Sequence, residues 1–408
     1  MNVQIKRIKK DIETINSFNA TPERGITRLT FSKEYGEARS YIVDELKRIG
    51  ANVSTTLGGN LRGRLAGSEK GTPSVMMGSH IDSVVQGGRF DGVAGVVSAL
   101  EAARVIKEKS IPHRHPIDVV VFAEEEGSRF GSVMIGSRAW IGKLSLKDLG
   151  QTKDKDGIRY LEAMDQCGIV CEDFSTLKAE QVKAMLELHI EQSVVLEKRG
   201  LQIGLVEGIA GIKQFIVTIH GIPNHAGGTP MGLRYDALQG AVRIIGAAEE
   251  IAREMREPTV ATTGFISCEP GQVNVIPGRV QFTLDIRDTD SKRLEEAVKA
   301  IVAVTEKTCK ERGLTNDIKP RSDTPPVALS ERVVQLIENV ARERKIEPLR
   351  MMSGALHDSS ILAEITDVGM IFIPSKEGKS HSPDEFTDLK DIEVGADILL
   401  DTVVKLVS

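Results

Sequence analysis

The stretch Phe122-Ala123-Glu124-Glu125-Glu126-Gly127 constrains this chain more than any other. An apolar run, Ile117-Asp118-Val119-Val120-Val121-Phe122-Ala123, reads as a buried strand and delivers three consecutive carboxylates to its end. Three acids gathered at one strand end repel one another unless a cation joins them. Open α/β proteins hold their ligands at the carboxyl edge of a parallel sheet, so the cluster falls where chemistry is expected. A metal reading follows, and it requires histidines and a further acid elsewhere. Val75-Met76-Met77-Gly78-Ser79-His80-Ile81-Asp82 is a second apolar run, ending in His and Asp and followed by Asp91-Gly92. Glu187-Leu188-His189 and Ser380-His381-Ser382-Pro383 lie downstream.

The order of elements around these runs implies one domain inserted into another. Residues 35–49 form an amphipathic pattern through Ala38, Tyr41, Ile42, Leu46 and Ile49, with Ser32 as N-cap and Gly50 as stop. A strand over 75–78, a helix over 92–109 and a strand over 117–123 then alternate, which is the signature of a largely parallel sheet with crossover helices on both faces. After Gly208 the rhythm changes. Residues 213–220 alternate as a strand, 235–255 carry a helical apolar face through Ala237, Ala241, Ile244 and Ala248, and 259–267 read as a strand. Residues 279–287 alternate again with Val280, Phe282, Leu284 and Ile286 inward, before a helix over 291–312 and a short strand over 316–321. That βαββαβ order matches a ferredoxin-like α+β unit of about 115 residues, and Asp323-Thr324-Pro325-Pro326 reads as its exit linker. The expected division is residues 1–208 and 329–408 in an α/β domain and 209–328 in the insert.

Composition removes other classes. A chain of 408 residues with 40% hydrophobic and 27% charged residues can build two ordinary globular cores. A formal net charge of -5 offers no basic face for nucleic acid. No run approaches the ~18 apolar residues of a membrane span, and the basic Lys6, Arg7, Lys9 and Lys10 are not followed by an apolar signal core. Four scattered cysteines without a Cys-x-x-Cys pair point to a reducing cytoplasm.

The eight histidines divide unevenly. His80 ends a strand with Asp82 two residues on, so both side chains share a face and the Asp82 carboxylate is placed to hold the imidazole in its metal-binding tautomer. His189 shares a face with Glu187 and Glu191, where core packing is the competing explanation. His381 sits in a loop before Pro383, where packing gives it no task. His113 and His115 fall in a polar turn, and His220 belongs to an alternating strand.

Taken in order, these residues resemble the dinuclear-metal amidohydrolases related to aminoacylase, in the branch containing N-carbamoyl-L-amino-acid hydrolase and allantoate amidohydrolase. The markers are Gly78-Ser79-His80-Ile81-Asp82-Ser83, Gly87-Gly88-Arg89-Phe90-Asp91-Gly92, Glu125-Glu126-Gly127-Ser128-Arg129-Phe130 and Glu187-Leu188-His189-Ile190-Glu191-Gln192. Asn224-His225-Ala226-Gly227-Gly228-Thr229-Pro230-Met231, Asn274-Val275-Ile276-Pro277, Ser353-Gly354-Ala355-Leu356-His357-Asp358 and Ser380-His381-Ser382-Pro383 complete the series. Each motif is weak by itself; their order over nearly the whole chain is specific.

The resemblance implies that Asp91 bridges two divalent ions, with His80 and His189 on one and Glu126 and His381 on the other. A shared carboxylate suits ions about 3.5–4 Å apart, which repel. It implies that Glu125 is the general base, taking a proton from the attacking water and returning it to the leaving nitrogen. Arg287 is expected to bind the substrate carboxylate through its fork, although Asp285 and Asp288 offer it ordinary salt bridges. Asn274 and His225 are expected at the substrate, with His225 stabilising the tetrahedral intermediate. Gln192 and His357 are further candidates, and Gly354 and Ala355 are expected to offer backbone N–H groups to the carboxylate. In the family the small domain of one subunit carries its histidine to the other's site, so a homodimer with a closing lid is implied.

Two departures concern substrate geometry rather than metal ligation: Ser193 stands where the family has Gly, and Leu356 interrupts its Gly-rich Ser-Gly-Ala-Gly-His-Asp form. The implied reaction is hydrolysis of the ureido C–N bond of an N-carbamoyl-L-amino acid, with allantoate hydrolysis as the close rival and an aminoacylase or dipeptidase as the wider one. Apolar Ile212 leans towards a carbamoyl amino acid. A catalytically silent ligand carrier or dimeric scaffold on the same fold would lack the base or a ligand, and both are present. Zinc is the default metal, with manganese, cobalt or nickel compatible with the same donors.

Overall fold

The computed structural model describes residues 1–255 and 258–408. They form two compact units, Met1–Glu207 with Ala328–Ser408, and Gly208–Val327.

The first unit is a mixed α/β fold around a mostly parallel sheet. Its centre runs Ile117–Phe122, Ser74–His80, Val182–Ile190, Val368–Ile373, each parallel to its neighbour. Leu61–Leu65 and Asn52–Thr55 extend one side antiparallel, and residues 204–206 pair antiparallel on the other. Every residue of Ser74–His80, Ile117–Phe122 and Val368–Ile373 is buried, which explains why these strands read as apolar runs instead of alternations. Asp118 is a buried acid within these runs, and a bidentate pair from Arg64 at 2.7 and 2.6 Å satisfies it. After Ser74–His80 the chain places its next strand on one side and Val182–Ile190 on the other. The carboxyl end of Ser74–His80 is therefore a topological switch point, where α/β sheets open a crevice.

Gly92 starts the crossover helix Val93–Glu108 at φ +65°, and a Cβ there would lie 2.6 Å from the His80 ring. That helix is buried from Val93 to Ile106 because the helix Leu389–Val407 packs beside it on the same sheet and the helix Ile5–Ser17 packs over both. Its small residues permit the close approach. The helix Lys33–Arg48 begins at Ser32, whose hydroxyl accepts the Tyr35 N–H at 3.2 Å.

The second unit is an antiparallel sheet in the order Ile266–Glu269, Arg279–Asp288, Gly211–His220, Thr315–Thr324, with Val260–Thr262 also on Arg279–Asp288. The helices Ala237–Met255 and Ser291–Arg312 bury Ala241, Ile244, Leu294 and Ile301 against Val217, Ile219, Phe282 and Leu284. Asp290 caps the second helix by accepting the Arg293 N–H at 2.8 Å, and Gly313 at φ +65° ends it. Two local expectations change. The single strand expected over 259–267 is two, Val260–Thr262 and Ile266–Glu269. The last strand runs from Thr315 to Thr324, because a register shift between Pro320 and Ser322 accommodates a residue that cannot donate to a ladder. Asp323 and Thr324 therefore belong to the strand and not to a linker.

Candidate metal centre

Four loops at the carboxyl ends of the parallel strands converge on Asp91. Its Oδ1 lies 3.1 Å from Nε2 of His189 and 3.6 Å from Nε2 of His80. Its Oδ2 lies 3.1 Å from Nε2 of His381, which is itself 3.4 Å from Oε2 of Glu126. One carboxylate thus faces two donor groups, His80 with His189 and Glu126 with His381. In each group, Asp91 included, the candidate ligand atoms lie within 4.8 Å of one another.

The imidazoles are turned for this arrangement. Nδ1 of His80 sits 3.0 Å from the Asp82 carbonyl and Nδ1 of His189 sits 2.9 Å from the Ile190 carbonyl. A carbonyl only accepts, so each Nδ1 carries the proton and each Nε2 presents its lone pair to the centre. The Gly92 N–H donates to Nε2 of His189 at 3.3 Å, which agrees with that tautomer.

This changes the expected part of Asp82. Its backbone carbonyl, not its carboxylate, holds the ring: the nearest carboxylate oxygen is 3.8 Å from Nδ1. Oδ2 instead accepts the Glu126 N–H at 3.1 Å, so Asp82 anchors the loop that carries Glu126.

That loop is fixed on both sides of Glu125. Glu124 adopts φ +54°, and its buried Oε1 accepts the Arg129 and Phe130 N–H groups at 3.0 and 2.7 Å. The carbonyls of Ala123, Glu124 and Glu125 accept N–H groups at the start of the helix Ile135–Trp140, at 2.9, 3.1 and 3.0 Å. Glu125 is consequently held inward, 8% exposed, with Oε2 3.8 Å from Nε2 of His80. Burial, with Glu126 and Asp358 adding repulsion against the pull of His80, pushes Glu125 well above the usual carboxylate range. Burial and the Asp91 charge push Glu126 up to about 7.

So many buried carboxylates cannot all ionise unaided, while their oxygens and the imidazole Nε2 atoms form a donor set that divalent cations accept. The residues fit a metal centre. A third group, Glu187 with His189 and His357, also lies within 4.8 Å. There Glu187 already accepts from Ser79 and Ser359 hydroxyls at 2.6 and 2.5 Å.

The remaining candidates are distributed as follows. Gln192, at φ +55°, donates from Nε2 to Oδ2 of Asp91 at 3.0 Å. Ser193, the departure from Gly, donates to Glu191 at 2.5 Å, and Glu191 accepts the Val195 and Leu196 N–H groups at the start of the helix Val195–Arg199. His357, expected at the substrate, is buried with its Nε2 3.0 Å from Ser353 Oγ and its ring edge-on to His189 at 4.6 Å. It packs against the candidate ligand His189 instead of facing open space. Ala355 also departs from expectation, since its N–H donates to Ser353 Oγ at 3.2 Å and is taken within the turn. Gly354 follows the strand Leu349–Ser353.

His225, Asn274 and Arg287 belong to the second unit. His225 is exposed on a two-stranded ribbon in which it pairs with Val275, and the Asn274 carbonyl accepts the Ala226 N–H at 3.0 Å. The Gly227 and Gly228 N–H groups both donate to Nδ1 of His225 at 3.0 Å, which places its proton on Nε2. Arg287 presents Nε and Nη2 to Asp285 at 2.8 and 3.1 Å, while Asp288 turns away to Arg293.

Sequence reasoning passed over Ser380 and Glu385, and it gave Glu124 no task. Ser380 and Glu385 flank His381 within five residues, a signal that was available. Their targets around Asp91 lie almost three hundred positions away and were not.

Known proteins resemble this chain along its full length. An N-carbamoyl-L-amino acid amidohydrolase from Geobacillus stearothermophilus is 40% identical over 99% of each chain. An allantoate amidohydrolase from Escherichia coli is 36% identical over 96% of this chain and 95% of its own. The crystal structure of an amidase of the hydantoinase/carbamoylase family from Burkholderia multivorans matches with a TM-score of 0.95 at 33% identity, covering 100% of this chain and 98% of that one. The profile described as peptidase family M20/M25/M40 spans residues 76–405, which takes in the strand of His80, the Asp91 turn and the His381 loop, and the chain belongs to that family.

Proposed function

We propose that this protein is a metal-dependent amidohydrolase that cleaves the ureido C–N bond of N-carbamoyl-L-amino acids, releasing the L-amino acid, carbon dioxide and ammonia. The division of the Asp91 carboxylate between His80 and His189 on one oxygen and His381 on the other carries the reading. It suits two divalent ions, with zinc the default and manganese, cobalt or nickel compatible with the donors. Bound there, the ions supply Lewis acidity that polarises the ureido carbonyl and makes water a better acid.

The chain's own groups supply the rest. Glu125 accepts a proton from the attacking water as the oxygen adds to the ureido carbon, then delivers it to the nitrogen that leaves as the C–N bond breaks. Its burial and raised pKa suit both halves of that exchange. His225, with its proton on Nε2, is built to donate to the developing oxyanion. Arg287, oriented by Asp285, and Asn274 are assigned to the substrate carboxylate. Gly354 is a second donor for it.

We assign Gly208–Val327 as a ferredoxin-like dimerisation and lid domain, and the remainder as the catalytic domain. Its strand order and its two helices on one face support the first assignment. The free cysteines suit a reducing cytoplasm, and among the described residues no helix is long and apolar enough to cross a membrane.

The test is ammonia release by metal-reconstituted protein given N-carbamoyl-L-methionine and allantoate in parallel, with an N-acetyl amino acid and a dipeptide as controls. Preference for the first supports the proposal. Preference for allantoate, the substrate named for the Escherichia coli relative, moves the protein to the second reading. Turnover of the controls alone overturns both.

A further inference from the structure

We propose that Glu385 is a positioning residue that keeps Oδ2 of Asp91 available to the ion on the His381 side, an inference that rests on the metal centre proposed above. Glu385 is 3% exposed and meets the candidate ligand Asp91 through its backbone N–H. Its Oε1 accepts the Phe90 and Asp91 N–H groups at 2.8 and 3.1 Å. Its Oε2 accepts from Ser380 Oγ at 2.9 Å. One buried carboxylate therefore joins the turn that carries Asp91 to the loop that carries His381. Gly88 makes room for it, because a Cβ there would lie 1.9 Å from the Glu385 carboxyl carbon.

The hydroxyl of Ser380 gives this geometry its consequence. Ser380 Oγ lies 2.9 Å from Glu385 but also 3.2 Å from Oδ2 of Asp91, and it has one proton to give. With that proton on Glu385, Oδ2 accepts only from the Gln192 amide at 3.0 Å and keeps a lone pair for a cation. Without an acceptor at Glu385, the proton turns to Oδ2 and competes with the metal. His189 and His80 face Oδ1, so the competition falls on the ion held by Asp91, Glu126 and His381. A buried acid of this kind thus separates the affinities of the two ions without binding either.

Glu385→Gln tests this with little change of shape. Its amide oxygen still accepts the Phe90 and Asp91 N–H groups, but its NH₂ group donates to Ser380 and sends the hydroxyl proton to Asp91. Mn²⁺ binding is measured by chelator competition and elemental analysis on wild type, Glu385→Gln, Ser380→Ala and the double variant, alongside thermal unfolding of the chelated proteins. We expect wild type to bind two ions and Glu385→Gln to lose about 10- to 100-fold in affinity for one of them only. Ser380→Ala in the Glu385→Gln background is expected to restore about tenfold of that loss, because it removes the competing proton. Unchanged affinities in Glu385→Gln overturn the proposal, as does an equal loss of both ions with a lower unfolding temperature, the mark of a merely structural role. A wild-type protein that binds no divalent ion removes the metal reading, and the Glu385 assignment with it.

Discussion

The side-chain amide of Gln192 donates to Oδ2 of Asp91 at 3.0 Å, from a backbone held at φ +55°. A non-glycine residue in that region carries strain that surrounding structure must offset. Here the Gln192 N–H donates to Ser375 Oγ at 3.0 Å, and the amide NH₂ also reaches Ser380 at 3.3 Å. The amide oxygen is left without a partner among the described residues, so the two ends of Gln192 separate in function. Nε2 orients the Asp91 carboxylate, and Oε1 is a buried acceptor, the atom that the proposed substrate-binding role of Gln192 would use. Gln192→Ala is expected to weaken metal binding about tenfold and to raise KM for the ureido substrate as well. Metal affinity by chelator competition and KM at saturating metal separate the two effects; a change in KM alone would remove the role at Asp91.

Glu125→Gln keeps the shape of the proposed base but not its ability to take a proton. The loop geometry around it is set by Glu124, Asp82 and backbone hydrogen bonds, none of which uses the Glu125 carboxylate. The variant should therefore fold and hold its metal while kcat falls about 10²- to 10⁴-fold. Metal content and stopped-time ammonia assays on the same preparation check this. Near-normal turnover would mean that another group accepts the proton.

Part of the candidate centre was legible because some of its residues lie at the ends of apolar runs. His80 and Glu126 close or follow strands whose full burial erases alternation, and hydrophobicity alone marks such runs. What escaped the sequence was the work of backbone atoms and of loops. The Asp82 carbonyl, invisible in a residue code, does what its carboxylate was expected to do. Glu385 meets Phe90 and Asp91 across separations of 295 and 294 positions, which no local pattern encodes. In the second unit, the alternation over Arg279–Asp288 fixed both the strand and its inward face. The break between Thr262 and Ile266 falls at Gly264, a residue depleted in strands, so a signal for it was present in the sequence between two strand-forming stretches.

Arg104 gives a stability prediction remote from the metal. It lies in the buried helix Val93–Glu108 and reaches Asp11 and Glu45 at 2.5 Å each, with Glu101 3.6 Å away. Asp11 also accepts the Tyr41 hydroxyl at 2.6 Å. Arg48 and Arg7 remain on Glu45 and Glu101, but removing Arg104 strands the buried Asp11 carboxylate, which costs more than the pair itself contributes. Arg104→Met is expected to destabilise the protein by about 3–5 kcal/mol, with KM unchanged in protein that remains folded. Chemical denaturation of both forms measures it, and a cost within about 0.5 kcal/mol would show the surface-like behaviour of a screened ion pair.

Asp288 supplies a pH dependence in the second unit. Burial would raise its pKa, but hydrogen bonds from Arg293, Thr259 and the Asp290 N–H outweigh that and lower it below the ordinary aspartate range. A carboxylate with a lowered folded pKa contributes stability that is fully present above its unfolded pKa, about 3.9, and is lost as pH falls through the lower folded value. Asp288→Asn removes the titration while retaining most of the shape. Wild type should exceed the variant by about 1–3 kcal/mol between pH 5 and 8, since the lost hydrogen bonds involve a charged acceptor. Below about pH 4 the difference should shrink, because protonation brings the wild-type side chain to the same neutral state. Urea unfolding of both proteins across this range, followed through a probe placed in Gly208–Val327, reads the difference directly. A gap that stays constant down to about pH 2 would show that the contribution of Asp288 is one of packing and not of charge.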